Sequence, residues 1–289
     1  MEYKIIANPI AGRGKAMAVV QRVKKMLDER KVKYDLQFTR SPGDATEIAH
    51  SSAKEGWDVV ISIGGDGTAS EIIGGLAGSN TAIGIISCGT GNDFARNLSL
   101  PTDINQAMET ILSGKRRKID VGWERDQIFV NIGSVGFVSE VTAQANALSH
   151  LKGSLSFFIA TYKALSKLKA KHVRIELDNE VIETEAVSVT VSNMKYAGGG
   201  MVFAPDTVVD DGLFDVCIIG KIGKVSLALT FPQMYKDTGP KHLALNRYRS
   251  RTVKITCDHP LDKMFDGNIN GTTPLEAKIL PSAVEVIIP

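Results

Sequence analysis

Ile61-Ser62-Ile63-Gly64-Gly65-Asp66-Gly67-Thr68 is an apolar run that ends in three glycines around one carboxylate. The run reads as a buried strand, and glycine lets the chain leave it with positive φ and close to a ligand. A strand ending this way offers bare peptide N–H groups and one acid, the chemistry that seats a phosphate and its metal. A nucleotide phosphate site is the first expectation.

Working outward from that stretch, the first part of the chain alternates strand and helix signals. Residues 5–7, 34–38, 59–63 and 83–86 read as short apolar strands. Residues 16–29, 44–54 and 70–76 read as helices, and further helical patterns follow Asn92 and Asp103. Short buried strands separated by helices imply a parallel, doubly wound sheet, whose ligands sit at the strand carboxyl ends. The other glycine-rich stretches of this region also follow strands: Asn8-Pro9-Ile10-Ala11-Gly12-Arg13-Gly14 after the first, and Cys88-Gly89-Thr90-Gly91-Asn92-Asp93-Phe94 after a later one. Three such loops are positioned to meet along one sheet edge.

After about Asp120 the texture becomes β-rich. Residues 128–132, 173–177, 186–191, 213–219, 252–256 and 284–288 read as strands parted by Gly, Asp and Pro loops, so a second, mainly antiparallel β domain is expected. The reading places a nucleotide domain over 1–122 and a β-sandwich domain over 123–289, with the active site in the cleft between them. One helix, 151–170, is expected to interrupt the second domain. It carries Leu155, Phe158, Ile159, Tyr162, Leu165 and Leu168 at helical spacing. Its apolar face reads either as cover for the core or as the wall of a lipid cleft, with Lys163, Lys167, Lys169 and Lys171 at headgroups.

Composition narrows the function classes. A net charge of +2 with no basic arm disfavours nucleic acid. Cys88, Cys217 and Cys257 form no zinc-ligand pair and read as free thiols of a reducing compartment. The first residues show no signal-peptide pattern, and no run of apolar residues is long enough to cross a bilayer, so a cytoplasmic protein is expected. The first loop is neither a Walker A sequence, because Pro9 and Ala16 stand at its defining positions, nor a dinucleotide fingerprint, because Met17 replaces the third glycine. Ile132-Gly133-Ser134-Val135-Gly136 lacks the leading glycine of a serine-hydrolase elbow. Lys115-Arg116-Arg117-Lys118 reads as a solvated turn before a strand or as a contact for anionic lipid.

Together the segments Asn8 to Gly12, Gly64 to Thr68, Gly89 to Arg96, Ala197 to Met201, Asp210 to Asp215 and Phe265 to Gly267 resemble, in order, the soluble diacylglycerol kinase and sphingosine kinase type of lipid kinase, especially its bacterial members. The resemblance runs along essentially the whole chain. Gly-Gly-Asp-Gly-Thr alone is shared with NAD kinases and phosphofructokinases, which keeps a kinase for a soluble acceptor as a rival. The Asp-Phe-Ala-Arg and Asp-Asp-Gly segments are more selective.

The resemblance implies an ATP site lined by Asn8, Pro9, Ile10, Ala11, Gly12, Thr39, Gly65, Asp66, Gly67, Thr68, Ala69, Ser70, Glu71 and Thr90. Asp66 is implied to hold the catalytic Mg²⁺ or to orient the acceptor hydroxyl. A structural Mg²⁺ is implied at Asp211 with the carbonyls of Val208 and Leu213; read alone, that stretch is equally an Asp-Gly turn between strands. The substrate implied is a lipid alcohol, best guessed as diacylglycerol, met during transient contact with the inner membrane surface. A homodimer is left open.

One departure from the pattern bears on catalysis. The family's usual Asp-Gly-Glu segment supplies a glutamate assigned as proton acceptor, but this chain reads Asp266-Gly267-Asn268. An amide cannot accept that proton as a base, which leaves Asp266 as a candidate and raises an attenuated enzyme, or a nucleotide- or lipid-binding protein without turnover, as further readings. Ser70 also stands where many relatives carry Asn.

Overall fold

The computed structural model describes residues 1–148 and 154–289. By contact the chain divides into a first unit, Met1–Val121 with Pro281–Pro289, and a second, Gly122–Leu280.

The first unit contains β1 (Tyr3–Ala7), α1 (Lys15–Glu29), β2 (Tyr34–Phe38), α2 (Asp44–Glu55), β3 (Val59–Gly64), α3 (Asp66–Leu76), β4 (Ala82–Ser87), α4 (Asp93–Asn97), α5 (Ile104–Ser113) and the start of β5 (Lys115–Glu124). β2, β1, β3 and β4 lie side by side in that order, all parallel. Strands β1 and β3 are buried along their whole length because helices cover both faces, so their sequences are continuous apolar runs and do not alternate. The chain runs from β1 outward to β2 and then returns to β3 on the other side. The order therefore reverses between β1 and β3, and at such a switch point the carboxyl ends leave a crevice between diverging loops. The core joins Ile5, Ala7, Ile61 and Ile63 of these strands to Val19, Val20, Val23 and Leu27 of α1.

In the second unit, β6 (Gln127–Phe129), β7 (Ile132–Gly136), α6 (Phe137–Ala147), α7 (Ser154–Ser166), β8 (Lys171–Glu176), β9 (Val181–Ser192), β10 (Tyr196–Ala197), β11 (Met201–Val202), β12 (Phe214–Gly220), α8 (Lys224–Thr230), β13 (Leu245–Ser250), β14 (Thr252–Cys257), β15 (Asp262–Phe265), β16 (Asn268–Thr272) and the start of β17 (Leu275–Ile288) follow one another. β9 is the axis of this antiparallel sheet. Its first half pairs with β8, and its second half lies between β7 and β12. Phe129, Phe214 and Phe265 stack at its heart, with ring centroids 5.6 and 4.9 Å apart. Lys263 Nζ of β15 meets Glu124 Oε1 of β5 at 2.6 Å, and both side chains are buried.

Four expectations are corrected here. More than one helix interrupts the β domain, since α6 and α8 join α7. In α7 Tyr162, expected on the inner face, is 74% exposed; residues 151–153 of the expected helix, and the side chains of Leu155 and Phe158, lie outside what is described. The Lys115–Lys118 run is not a turn but the first part of strand β5. The second domain was read as running to residue 289, yet Pro281–Pro289 clusters with the first unit, where Val286 is buried and pairs in parallel with Ile83.

Candidate active site

Three loops leave the carboxyl ends of β1, β3 and β4, and the parallel sheet holds their first residues in step. The Asn8 N–H donates to Ile63 O (3.0 Å), and the Cys88 N–H to Gly64 O (2.7 Å). At the end of β2 the Thr39 N–H likewise donates to Ala7 O (3.0 Å). Beyond these anchors the loops touch one another. Gly12, at φ +59°, lies so close to the third loop that a Cβ there would run into the Cys88 carbonyl oxygen. A Cβ on Gly89 would lie 2.8 Å from the Gly65 Cα. Glycine is required at these positions because two backbones share the space of one side chain.

The loops after β1, β2 and β3 leave helix N-termini open. Helices α1, α2 and α3 begin on Gly14, Gly43 and Gly65, and no side chain caps them, whereas α5 is capped by Asp103, whose carboxylate accepts the Asn105 and Gln106 N–H groups. An uncapped helix start keeps its N–H groups and the positive end of the helix dipole for an anion. Asn8 is fixed beside them: its Oδ1 accepts the Ile10 N–H (3.2 Å) and its Nδ2 donates to Thr68 Oγ1 (3.4 Å). Thr68 is buried and packed 2.5 Å from where a Gly64 Cβ would be, so it positions Asn8. The remaining residues expected at the nucleotide fall as follows. Pro9, Ala11, Gly12, Thr39, Gly65, Asp66, Ser70 and Glu71 are half-buried around the loops, Ile10, Gly67 and Thr90 are exposed, and Ala69 is buried in α3. The Glu71 carbonyl accepts the Thr46 hydroxyl, tying α3 to α2.

Asp66 stands at the first residue of α3 and its Oδ1 accepts the Phe94 N–H of α4 (3.0 Å). One carboxylate therefore joins the β3 loop to the β4 loop. Sequence reasoning passed over Asn92 and Asp93, although both lie inside a quoted motif. Asn92 has φ +51° and a buried Oδ1 without a hydrogen-bond partner, and a Gly89 Cβ would come within 3.1 Å of it. Asp93 is buried, with Arg96 Nε 3.9 Å from its Oδ1. Open N–H groups, a glycine-lined approach, an unmatched amide oxygen and a fixed carboxylate suit a polyphosphate with its cation. A methyl group at Gly12 is expected to cost about 1–3 kcal/mol of stability, through its φ and its clash with backbone, and to weaken nucleotide binding. Thermal unfolding and nucleotide titration of Gly12→Ala check both.

In the second unit Asp266 sits at the turn of the β15–β16 hairpin with φ +45°. Its carboxylate accepts the N–H groups of Val130 (2.6 Å), Asn131 (2.8 Å) and Ile132 (3.0 Å), and its own N–H donates to Ile132 O. Asn146 of α6 steadies the same turn by donating to Gly267 O (2.9 Å). Asn268 is exposed at the start of β16, opposite Phe265. Asp266 thus gathers three amides that lie more than a hundred residues away. Asp266→Ala leaves them without that acceptor and is expected to cost about 3 kcal/mol in a denaturant titration; an unchanged midpoint would show that the carboxylate carries no structural work.

The loop before β12 holds Val208, Asp211 and Leu213. Asp211 Oδ1 accepts the Leu213 N–H (3.1 Å), and its Oδ2 pairs with Arg249. Burial pushes the neighbouring Asp215 carboxyl up and the charges of Asp211 and Asp206 add to this, while the Thr207 hydroxyl and Arg249 oppose it. Two acids, Asp211 and Asp215, thus flank Arg249. Among the described residues no group of three or more His, Cys, Asp or Glu could hold a metal.

The diacylglycerol kinase catalytic domain matches residues 2–123, and the YegS C-terminal NAD kinase beta sandwich-like domain matches residues 131–288. A diacylglycerol kinase of Bacillus subtilis is 30% identical, across 99% of this chain and 96% of its own. One from Staphylococcus saprophyticus is 29% identical across 99% and 95%. A Bacillus anthracis crystal structure, provisionally described as a diacylglycerol kinase, superposes with a TM-score of 0.84 at 27% identity, covering 100% of this chain and 95% of that one.

Proposed function

Because the chain belongs to the diacylglycerol kinase family and is a kinase of that type, we propose that it uses ATP with Mg²⁺ and transfers the γ-phosphoryl group to a lipid hydroxyl, with diacylglycerol as acceptor and phosphatidic acid as product. The observation that carries this reading is the convergence of the β1, β3 and β4 loops at the switch point of the parallel sheet. Phosphoryl transfer relies mainly on positioning and electrostatics, and these loops supply both.

In this reading the N–H groups around Gly12 and Gly65 hold the phosphates, with Asn8 fixed by Thr68 beside them. Asp66, set by the Phe94 N–H, places its carboxylate at the phosphoryl group or the attacking hydroxyl. Mg²⁺, when bound, neutralises the charge that builds on the phosphates. A second, structural Mg²⁺ would be held by Asp211 and the carbonyls of Val208 and Leu213. No described helix is long and apolar enough to cross a membrane; in this reading the lipid is met at the membrane surface, on the cytoplasmic side.

A second reading is supported by the β15–β16 turn. Asn268 cannot accept a proton, and the Asp266 carboxylate is engaged by three amides, so the acceptor hydroxyl has no evident base there. The protein is then an attenuated kinase. ATP turnover against diacylglycerol, phosphatidylglycerol and a sphingoid base in mixed micelles, with NAD as the soluble rival, tests the proposal. Turnover that rises with diacylglycerol is expected, and ADP release that depends on NAD and ignores lipid would overturn it.

A further inference from the structure

Helix α8 is built inside out. Leu227 packs against the Phe137, Val141 and Ala164 cluster of α6 and α7. Val225 and Leu229, four residues apart and so on one face, point away from it and are 74% and 71% exposed. A helix on the surface of a water-soluble fold normally turns polar residues outward. Two neighbouring elements continue the apolar face. The 3-10 turn Phe231–Tyr235 directly follows α8 and leaves Tyr235 half exposed, and Leu243 is 100% exposed. The Leu243 loop is tied to α8, because His242 Nε2 lies 2.8 Å from Ser226 Oγ while His242 Nδ1 accepts the Ala244 N–H. Single exposed apolar residues need no explanation, but a tethered group of them does.

Charge identifies what covers this face. Between residues 221 and 251 the chain carries seven Lys and Arg against one acid, Asp237, in a protein whose total is only +2. Lys221, Lys224, Lys236 and Lys241 of this stretch are exposed; Lys221 pairs with Glu185 and Lys224 donates to Ser166 O, while Lys236 directly follows Tyr235 and Lys241 lines the groove beside Leu243. A groove of about 550 Å³ beside Leu243 is lined by Lys241, His242 and Arg247, with one acid, Asp206. We propose that Val225, Leu229, Tyr235 and Leu243 form a wedge that inserts into a bilayer carrying anionic phospholipid, with Lys236, Lys241 and Arg247 at the phosphates. Aliphatic tips favour the acyl boundary while lysine stems reach back to the headgroups. A second copy is a poorer partner, because a two-fold contact would set this basic rim against itself. The proposal rests on the lipid-kinase reading for its purpose, but the binding needs neither ATP nor an acceptor.

Co-sedimentation with vesicles, without nucleotide, separates the two. Wild-type protein is expected to pellet with phosphatidylcholine–phosphatidylglycerol vesicles and weakly with phosphatidylcholine alone. Leu229→Glu with Leu243→Glu is expected to lower the partition coefficient roughly ten-fold. Lys236→Glu with Lys241→Glu should lower it by a similar factor and flatten its salt dependence. Turnover of a short-chain, monomeric diacylglycerol should stay unchanged in both variants, which reads the kinase activity separately. Wild-type binding that ignores anionic lipid, or variants that pellet like wild type, would overturn the proposal. So would a wild-type dimer in sedimentation velocity that the leucine variant converts to monomer while vesicle binding persists.

Discussion

Replacing Asp66 by Ala is expected to lower lipid-dependent ATP turnover roughly a thousand-fold, since a fixed carboxylate that manages the cation or the attacking hydroxyl acts on charge developing in the transition state. The fold should survive. Asp66 contributes one described capping interaction, to the Phe94 N–H, whose loss costs about 1 kcal/mol. Nucleotide affinity should fall far less than turnover, because the N–H groups around Gly12 and Gly65 do not depend on that side chain. Steady-state turnover in mixed micelles, paired with a nucleotide titration of the same variant, checks the split. A variant that turns over like wild type would remove Asp66 from the chemistry.

The opposite change is expected at the other unit. Asn268→Glu places a carboxylate on the exposed start of β16, beside a turn already held rigid by Asp266 and by Asn146. A positioned general base contributes roughly 10²–10⁴-fold to proton-coupled steps, so turnover should rise by one or more orders of magnitude. The pH–rate profile should gain a rising limb as the new carboxylate ionises. Equal turnover by Asn268→Glu and wild type would mean that the proton leaves by another route. Because Asn268 is exposed, unfolding is not a competing explanation, and the wild-type melting temperature should be retained.

Much of the first unit is legible in the sequence because its strands are buried on both faces and its helices are amphipathic. The limits of β2 and β3 match those read from apolar periodicity to within a residue. Helix α3 starts earlier than periodicity suggests, at Asp66 instead of residue 70, because three glycines read as a loop although Gly65 serves as the helix cap. The meeting of the glycine loops was anticipated from their positions after strands. Their mutual contact, Gly12 on Cys88 and Gly65 on Gly89, depends on sheet order, which no local pattern encodes.

The second unit is less legible because its determinants are long-range. Asp266 looks like a catalytic acid in a motif, and only the fold brings Val130, Asn131 and Ile132 onto its oxygens. The basic run at Lys115–Lys118 hides a strand because its charges point outward from the start of β5. Helix α6 has Phe137, Val141 and Ala145 on one face, but it follows a glycine-rich strand and so lacks a clean start signal. Asn92 and Asp93 were within reach of the sequence, since they sit in the same motif as Thr90.

The central claim is that amides from separate strand-end loops seat one triphosphate. Hydrogen–deuterium exchange of the protein with and without Mg²⁺ and a non-hydrolysable ATP analogue tests it most directly. Segments 8–15, 64–71 and 88–94 are predicted to gain protection together and to saturate at the same nucleotide concentration. Protection confined to one of them, or appearing only outside all three, would contradict the account.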